Sequence, residues 1–221
     1  MKKQKLSLAI ILALIMTFIG CKNKAEEAQT TEAQDVTTAE ATTTKYMVDT
    51  EASMIEWKGF KPTGTHNGSI QIENGVFTVA DGKIESGSFL IDMNSIVDLD
   101  MEPANEMNAK LVNHLKSPDF FDVEKYPTAA FEVTGYEVKD GKGWLSGNLT
   151  MKEKKNNITF PVTVITSGTN VTITSETFTV DRSKWDVKYG SKSFFDDLGD
   201  KFINDDMELK VNVKASESST M

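Results

Sequence analysis

From Tyr46 onward, apolar and polar residues alternate with a period of two, which predicts strands buried on one face. Ile55 and Trp57 alternate with Glu56 and Lys58, and Ile70 and Ile72 flank Gln71. Asn74-Gly75 and Asp81-Gly82 are turn signals around Phe77 and Val79, so hairpins in series are expected. Phe89, Ile91 and Met93 continue the pattern beyond Gly87, a candidate bulge. The second half repeats it. Phe131 and Val133 lead to the Asp140–Gly143 turn, Leu145, Gly147, Leu149 and Met151 alternate, and a turn is expected over Lys154–Asn157. The clearest strand follows, with Ile158, Phe160, Val162 and Val164 on one face and Pro161 implying an edge-like or bulged position. Val171, Ile173, Phe178 and Val180 precede a last strand through Leu209, Val211 and Val213.

One long interruption breaks this series. Pro103 suits a first helical position, and Ala104, Met107, Leu111 and Leu115 recur at spacings of three and four, so an amphipathic helix is expected to cap one end of the sheet. Pro118 closes that helix at Ser117, and Tyr126-Pro127 starts the next extended segment. A short helical or turn lid is expected over Ser193–Leu198, with Asp196, Asp197, Asp200, Asp205 and Asp206 as a solvated face. The fold class is all-β: one antiparallel up-and-down barrel of about eight strands with one inserted helix.

The first 45 residues follow other rules. Lys2, Lys3 and Lys5 precede an apolar stretch from Leu6 to Ile19 that is short for a bilayer span, which marks residues 1–20 as an export signal. Phe18-Ile19-Gly20-Cys21 resembles a bacterial lipobox, with phenylalanine where leucine is usual, so Cys21 is the expected lipidation site. It is the single cysteine, which excludes an intramolecular disulfide. Residues 22–44 contain no aromatic residue, and the stretch from Cys21 to residue 45 is expected to be a disordered tether about 25 Å long on average. Residues 216–221 are expected to be a flexible end. The chain is therefore expected to sit at the cell envelope, on the outer membrane by its lipid anchor, with the side it faces left open.

Charge narrows the partners. The chain carries −9, and loss of the three lysines in residues 1–20 takes it to −12, which opposes nucleic-acid binding. His66 and His114 have no His, Cys or carboxylate at ligand spacing in sequence, so no metal site is expected. Ser117 lacks a nucleophile elbow, and no catalytic residue is assigned. No cofactor is expected.

Several motifs in order resemble the YceI-like family across Tyr46 to Ala215: Ile55-x-Trp57, Gly64-Thr65-His66-Asn67-Gly68, Ile91-Asp92-Met93, His114 to Asp122, Gly147-Asn148-Leu149-Thr150, Phe160-Pro161-Val162, and Asp181-Arg182-x-x-Trp185 with Tyr189-Gly190. One departure is at Lys152–Asn156, where the family often has a glycine. The resemblance implies a lipocalin-like barrel at residues 46–215, exported to the bacterial envelope, whose interior holds a long lipid such as a polyisoprenoid, an isoprenoid quinone or a fatty-acid derivative. Alternation makes Phe77, Phe89, Ile91, Phe131, Leu149, Phe160, Val162 and Phe178 the expected tail-lining residues, with Met107 and Leu111 of the helix covering the tail. Head-group candidates at the mouth are His66, Arg182, Trp185 and Tyr189. A non-catalytic carrier is the leading expectation. A structural or stress-related surface lipoprotein, or an enzyme acting on a lipid, are the alternatives, and a homodimer is kept open.

Overall fold

The structure is a computed structural model that describes residues 25–39 and 43–218. The export signal and Cys21 lie outside the described residues. The strands are β1 (Glu26–Glu27), β2 (Gln29–Glu32), β3 (Thr44–Val48), β4 (Met54–Lys61), β5 (Gly64–Ala80) and β6 (Lys83–Asp98). The helix α1 (Glu106–Lys116) is followed by β7 (Thr128–Lys139), β8 (Lys142–Met151), β9 (Lys154–Ser167), β10 (Asn170–Ser175), β11 (Phe178–Asp181) and β12 (Asp206–Glu217). Among the described residues these form one sheet of twelve strands, more than the eight expected, because the amino-terminal segment and β3 add short strands to the main series. Neighbours from β4 to β10 pair antiparallel, and the sheet curls back on itself because β12 is bonded to β10 and β11 and also to β4 and β3. β1 runs parallel to β11, an exception to the antiparallel expectation.

Two turn assignments change. Asn74-Gly75 does not turn the chain: β5 runs straight through it, with a register shift against β6 between Ile72 and Asn74. The glycine serves close packing instead, since a Cβ at Gly75 would stand 2.6 Å from Val48 Cγ2 and 2.8 Å from the Phe89 ring. The β8–β9 turn is Lys152-Glu153, both with positive φ, so residues 154–157 are strand and not turn. Non-glycine residues occupy the left-handed conformation that glycine would adopt with less strain.

The segment read as a free tether is partly ordered. β1 pairs with β11 and β2 with β9, the Gln34 N–H donates to Asn148 Oδ1, and the Thr37 N–H donates to the Val133 carbonyl. The reason is backbone, not side chain. β9 leaves β10 at Pro161, where the Glu176 N–H reaches back to its carbonyl, and this opens a seam between β9 and β11 that needs main-chain partners. Ala28 alone of this segment is buried. At the other end Ser216 and Glu217 belong to β12, opposite Met47 and Tyr46, and only residues 219–221 lie outside the described set.

The helix starts later than Pro103 suggests. Asn105 is its cap, accepting from the Met107 N–H at 2.9 Å, and Ser117 ends it in an extended conformation as Pro118 requires. Leu115 is buried and Leu111 half-buried, whereas Met107 is 55% exposed and lies off the packed face.

Candidate functional site

Inward side chains of the curled sheet meet in two different ways. Along one arc, aromatic rings from successive strands touch: Tyr46–Phe77, Phe77–Phe89, Phe89–Phe131, Phe131–Phe160 and Phe160–Phe178, with centroids 4.3 to 6.3 Å apart. Such pairs add to the burial of large apolar area. Phe77 and Phe178 are each only 1% exposed. Four of these rings, Phe89, Phe131, Phe160 and Phe178, line a small cavity of about 90 Å³.

Beneath the helix the filling is incomplete. A cavity of about 260 Å³ is walled by aliphatic side chains, among them Ile70, Ile91, Met93, Ile96 and Met151, and roofed by Leu111, Leu115, Phe120 and Phe121. The two cavities share Ile55, Ile91, Leu149 and Leu209 as walls, so they adjoin. Polar groups are few in the lining of the larger cavity: Lys61, His66, His114, Arg182 and Asn204.

Of the residues expected to line a tail, Phe89, Ile91, Phe131, Leu149, Phe160, Phe178 and Leu111 border one or both cavities. Phe77 and Val162 sit in the packed core and border neither. Met107 points away from both, because α1 seats its Leu111–Leu115 face and begins only at Glu106.

The head-group candidates separate as well. Arg182 borders the cavity but is 2% exposed, and four of its five N–H donors are used: Nε donates to the Asn204 carbonyl, Nη1 to Val187, and Nη2 to Tyr189 and Ile203. Asp205 stands 3.5 Å away and accepts from Ser191 and Ser193, so it belongs to this knot and not to a solvated face. Burial pulls the Arg182 guanidinium down from its ordinary pKa, with Asp205 and Asp181 opposing. Trp185 is fully buried and donates from Nε1 to the Leu149 carbonyl at 2.8 Å. Both residues hold the 182–205 loop in place, since four of the five arginine N–H donors are taken by carbonyls of that loop. Tyr189 is exposed and sets its ring edge-on to His114 at 4.6 Å, outside the cavity wall.

His66 remains at the cavity edge. Its Nδ1 is 3.1 Å from Asp100 Oδ2, and Asp98 joins the pair, so a histidine and two carboxylates converge. Burial and the neighbouring Asp100 raise the Asp98 pKa. Burial would raise Asp100 too, but the Asn67 N–H, Asp98 and His66 together hold it below the usual carboxylate value. This cluster was hidden in sequence by a separation of more than 30 residues, and only the β5–β6 register, which sets Gly68 opposite Asp98, brings it together. Trp57 was missed as a site residue too. It borders the larger cavity, and its buried indole N–H has no partner among the described residues.

Solved structures share this architecture. BcnA of Burkholderia cenocepacia superposes with a TM-score of 0.57 at 22% identity, covering 76% of this chain and 99% of that one. A polyisoprenoid-binding domain from Saccharophagus degradans gives 0.55 at 14% identity, over 78% and 98%. In sequence, the chain is 35% identical to a UPF0312 protein of Pseudomonas aeruginosa over 68 residues, and 31% identical over 87 residues to one from Shewanella denitrificans. These alignments cover 31% and 39% of this chain and span 34% and 38%, little more than a third, of the relatives' own length. The profile of the YceI-like domain matches residues 46–215, from the start of the alternating pattern to the end of the last strand, and the chain therefore belongs to the YceI-like family.

Proposed function

We propose that this protein binds a long-chain amphiphilic lipid, of the polyisoprenoid or isoprenoid quinone class, inside a barrel formed by the curled sheet, and carries or stores it at the bacterial envelope without chemical change. The observation that carries this reading is the aliphatic cavity of about 260 Å³ beneath α1, adjoining a second and lined by few polar groups. The tail lies along Ile91 and Leu149 toward the aromatic arc, while the head group stays at the His66 edge. Each methylene withdrawn from water contributes about 0.8 kcal/mol, so affinity needs few polar contacts. The Saccharophagus domain of the same fold, described as polyisoprenoid-binding, supports the choice of lipid class. Cys21, acylated, would hold the domain at the outer membrane, with residues 22–24 and the ordered segment behind it as the connection.

At the mouth, four of the five Arg182 N–H groups are taken by carbonyls, and the carboxylates of Asp98 and Asp100 stand beside His66. Catalysis has no comparable support: Asp98 and Asp100 are turned toward each other and His66, and Ser117 donates to the His114 carbonyl.

A chain-length series tests the reading. Prenyl alcohols of increasing length are titrated against an apolar fluorescent dye held in the protein. Displacement should strengthen with each added unit and then level off when the cavity is full. Equal, weak displacement at every length would contradict it. Ala129→Phe, which fills the wall opposite Ile91, should weaken displacement at least tenfold.

A further inference from the structure

The His66, Asp98 and Asp100 cluster has a construction that lipid binding does not require. A ligand atom from each of the three lies within 4.8 Å of the other two. Ligand atoms on a tetrahedral ion with bonds of about 2.1 Å stand about 3.4 Å apart, so side-chain shifts on the order of 1 Å would make all three ligands of one centre.

The carboxylates are oriented as ligands are. Asp100 has one oxygen fixed by the Asn67 N–H at 2.7 Å, which leaves Oδ2 toward His66. Asp98 has Oδ2 fixed by the Met101 N–H at 3.1 Å and by Asn108 Nδ2 of α1 at 3.2 Å. Its other oxygen, Oδ1, is buried and has no hydrogen-bond donor among the described residues, in a residue only 5% exposed. A buried carboxylate oxygen without a donor is costly unless a proton or a cation meets it. Hydrogen bonds that hold the outer oxygens of ligating carboxylates are the usual outer shell of a metal centre.

We propose that His66, Asp98 and Asp100 form a divalent-cation site, with Zn²⁺ or Mn²⁺ as the ions that suit one imidazole and two carboxylates. Three ligands leave further positions to water on the exposed side, where His66 and Asp100 are each about 27–28% accessible. The ion links the start of β5 to the end of β6, and through Asn108 to α1, at the edge of the cavity. It also neutralises two adjacent carboxylates in an acidic protein.

The test uses the full chain with Cys21→Ser, so that the thiol takes no metal, freed of ions by chelation and titrated calorimetrically with Zn²⁺ and then Mn²⁺. The expected result is one ion per chain, with a higher melting temperature in its presence. Asp98→Asn and His66→Ala should each weaken binding at least tenfold. Asp186→Asn, at an exposed carboxylate paired with Lys188, should leave it unchanged. Asparagine at 98 keeps the acceptor for Met101, and if that variant does not fold, the half-exposed His66 decides alone. No saturable binding by the parent chain, or equal binding after either ligand change, overturns the site and leaves a proton shared between Asp98 and Asp100 as the partner of Oδ1. Neither outcome depends on whether a lipid is bound.

Discussion

At one end of the interior, six rings from β3, β5, β6, β7, β9 and β11 follow one another at 4.3–6.3 Å. Under α1 the same alternation delivers mostly Ile, Met, Leu and Ala, with Trp57 and Phe60 of β4, and about 260 Å³ stays unfilled. Strand geometry is common to both ends. Side-chain volume is what differs: planar rings meet across the sheet, whereas shorter aliphatic groups projecting from the same wall do not. One periodic pattern can therefore encode a closely packed aromatic arc with a small cavity and a larger unfilled chamber in a single sheet.

Substitutions at the two ends should break this comparison in opposite ways. The largest effect is expected for Phe178→Ala in the aromatic arc, a loss of about 3–5 kcal/mol in stability read from the urea midpoint. Gly147→Ala comes next: its Cβ would stand 2.2 Å from the Phe131 ring, so about 1–3 kcal/mol should be lost to overpacking. Ala129→Phe is also a small-to-large change, but in the chamber wall, and stability should stay within about 1 kcal/mol of the parent while lipid uptake falls. If Gly147→Ala and Ala129→Phe cost the same, the two ends are equally packed and the comparison fails. The smallest effect is expected in the β8–β9 turn, where Glu153→Gly relieves a positive φ of 60° and should stabilise by about 0.5–1 kcal/mol without touching uptake.

Much of the wall was legible because burial on one face forces alternation: Phe89, Ile91, Phe131 and Phe160 all point inward as the period requires. The helix end at Ser117 was legible from Pro118. Other features depend on partners remote in sequence. Gly75 looks like a turn glycine, and only the Val48 and Phe89 side chains across the sheet show it to be a packing glycine. Residues 26–37 are too polar to form a core, which the composition shows, but their order comes from main-chain bonds to an open seam that no local pattern reveals. Arg182 was a head-group candidate at the mouth. Its four carbonyl acceptors come from residues 187–204 and take four of its five N–H donors. The His66, Asp98 and Asp100 cluster depends on the β5–β6 register in the same way, and Trp57 faces the chamber only because β4 packs against Gly68.

Native mass spectrometry of the full-length protein, isolated from its own cells in mild detergent, tests the central claim most directly. The account predicts a stoichiometric long-chain lipid that survives transfer to the gas phase, is absent from Ala129→Phe, and is identified as an isoprenoid by extraction. An unliganded mass for both proteins, with no uptake of added prenyl alcohols or quinones, would contradict it and leave the chamber as a packing defect of a structural protein.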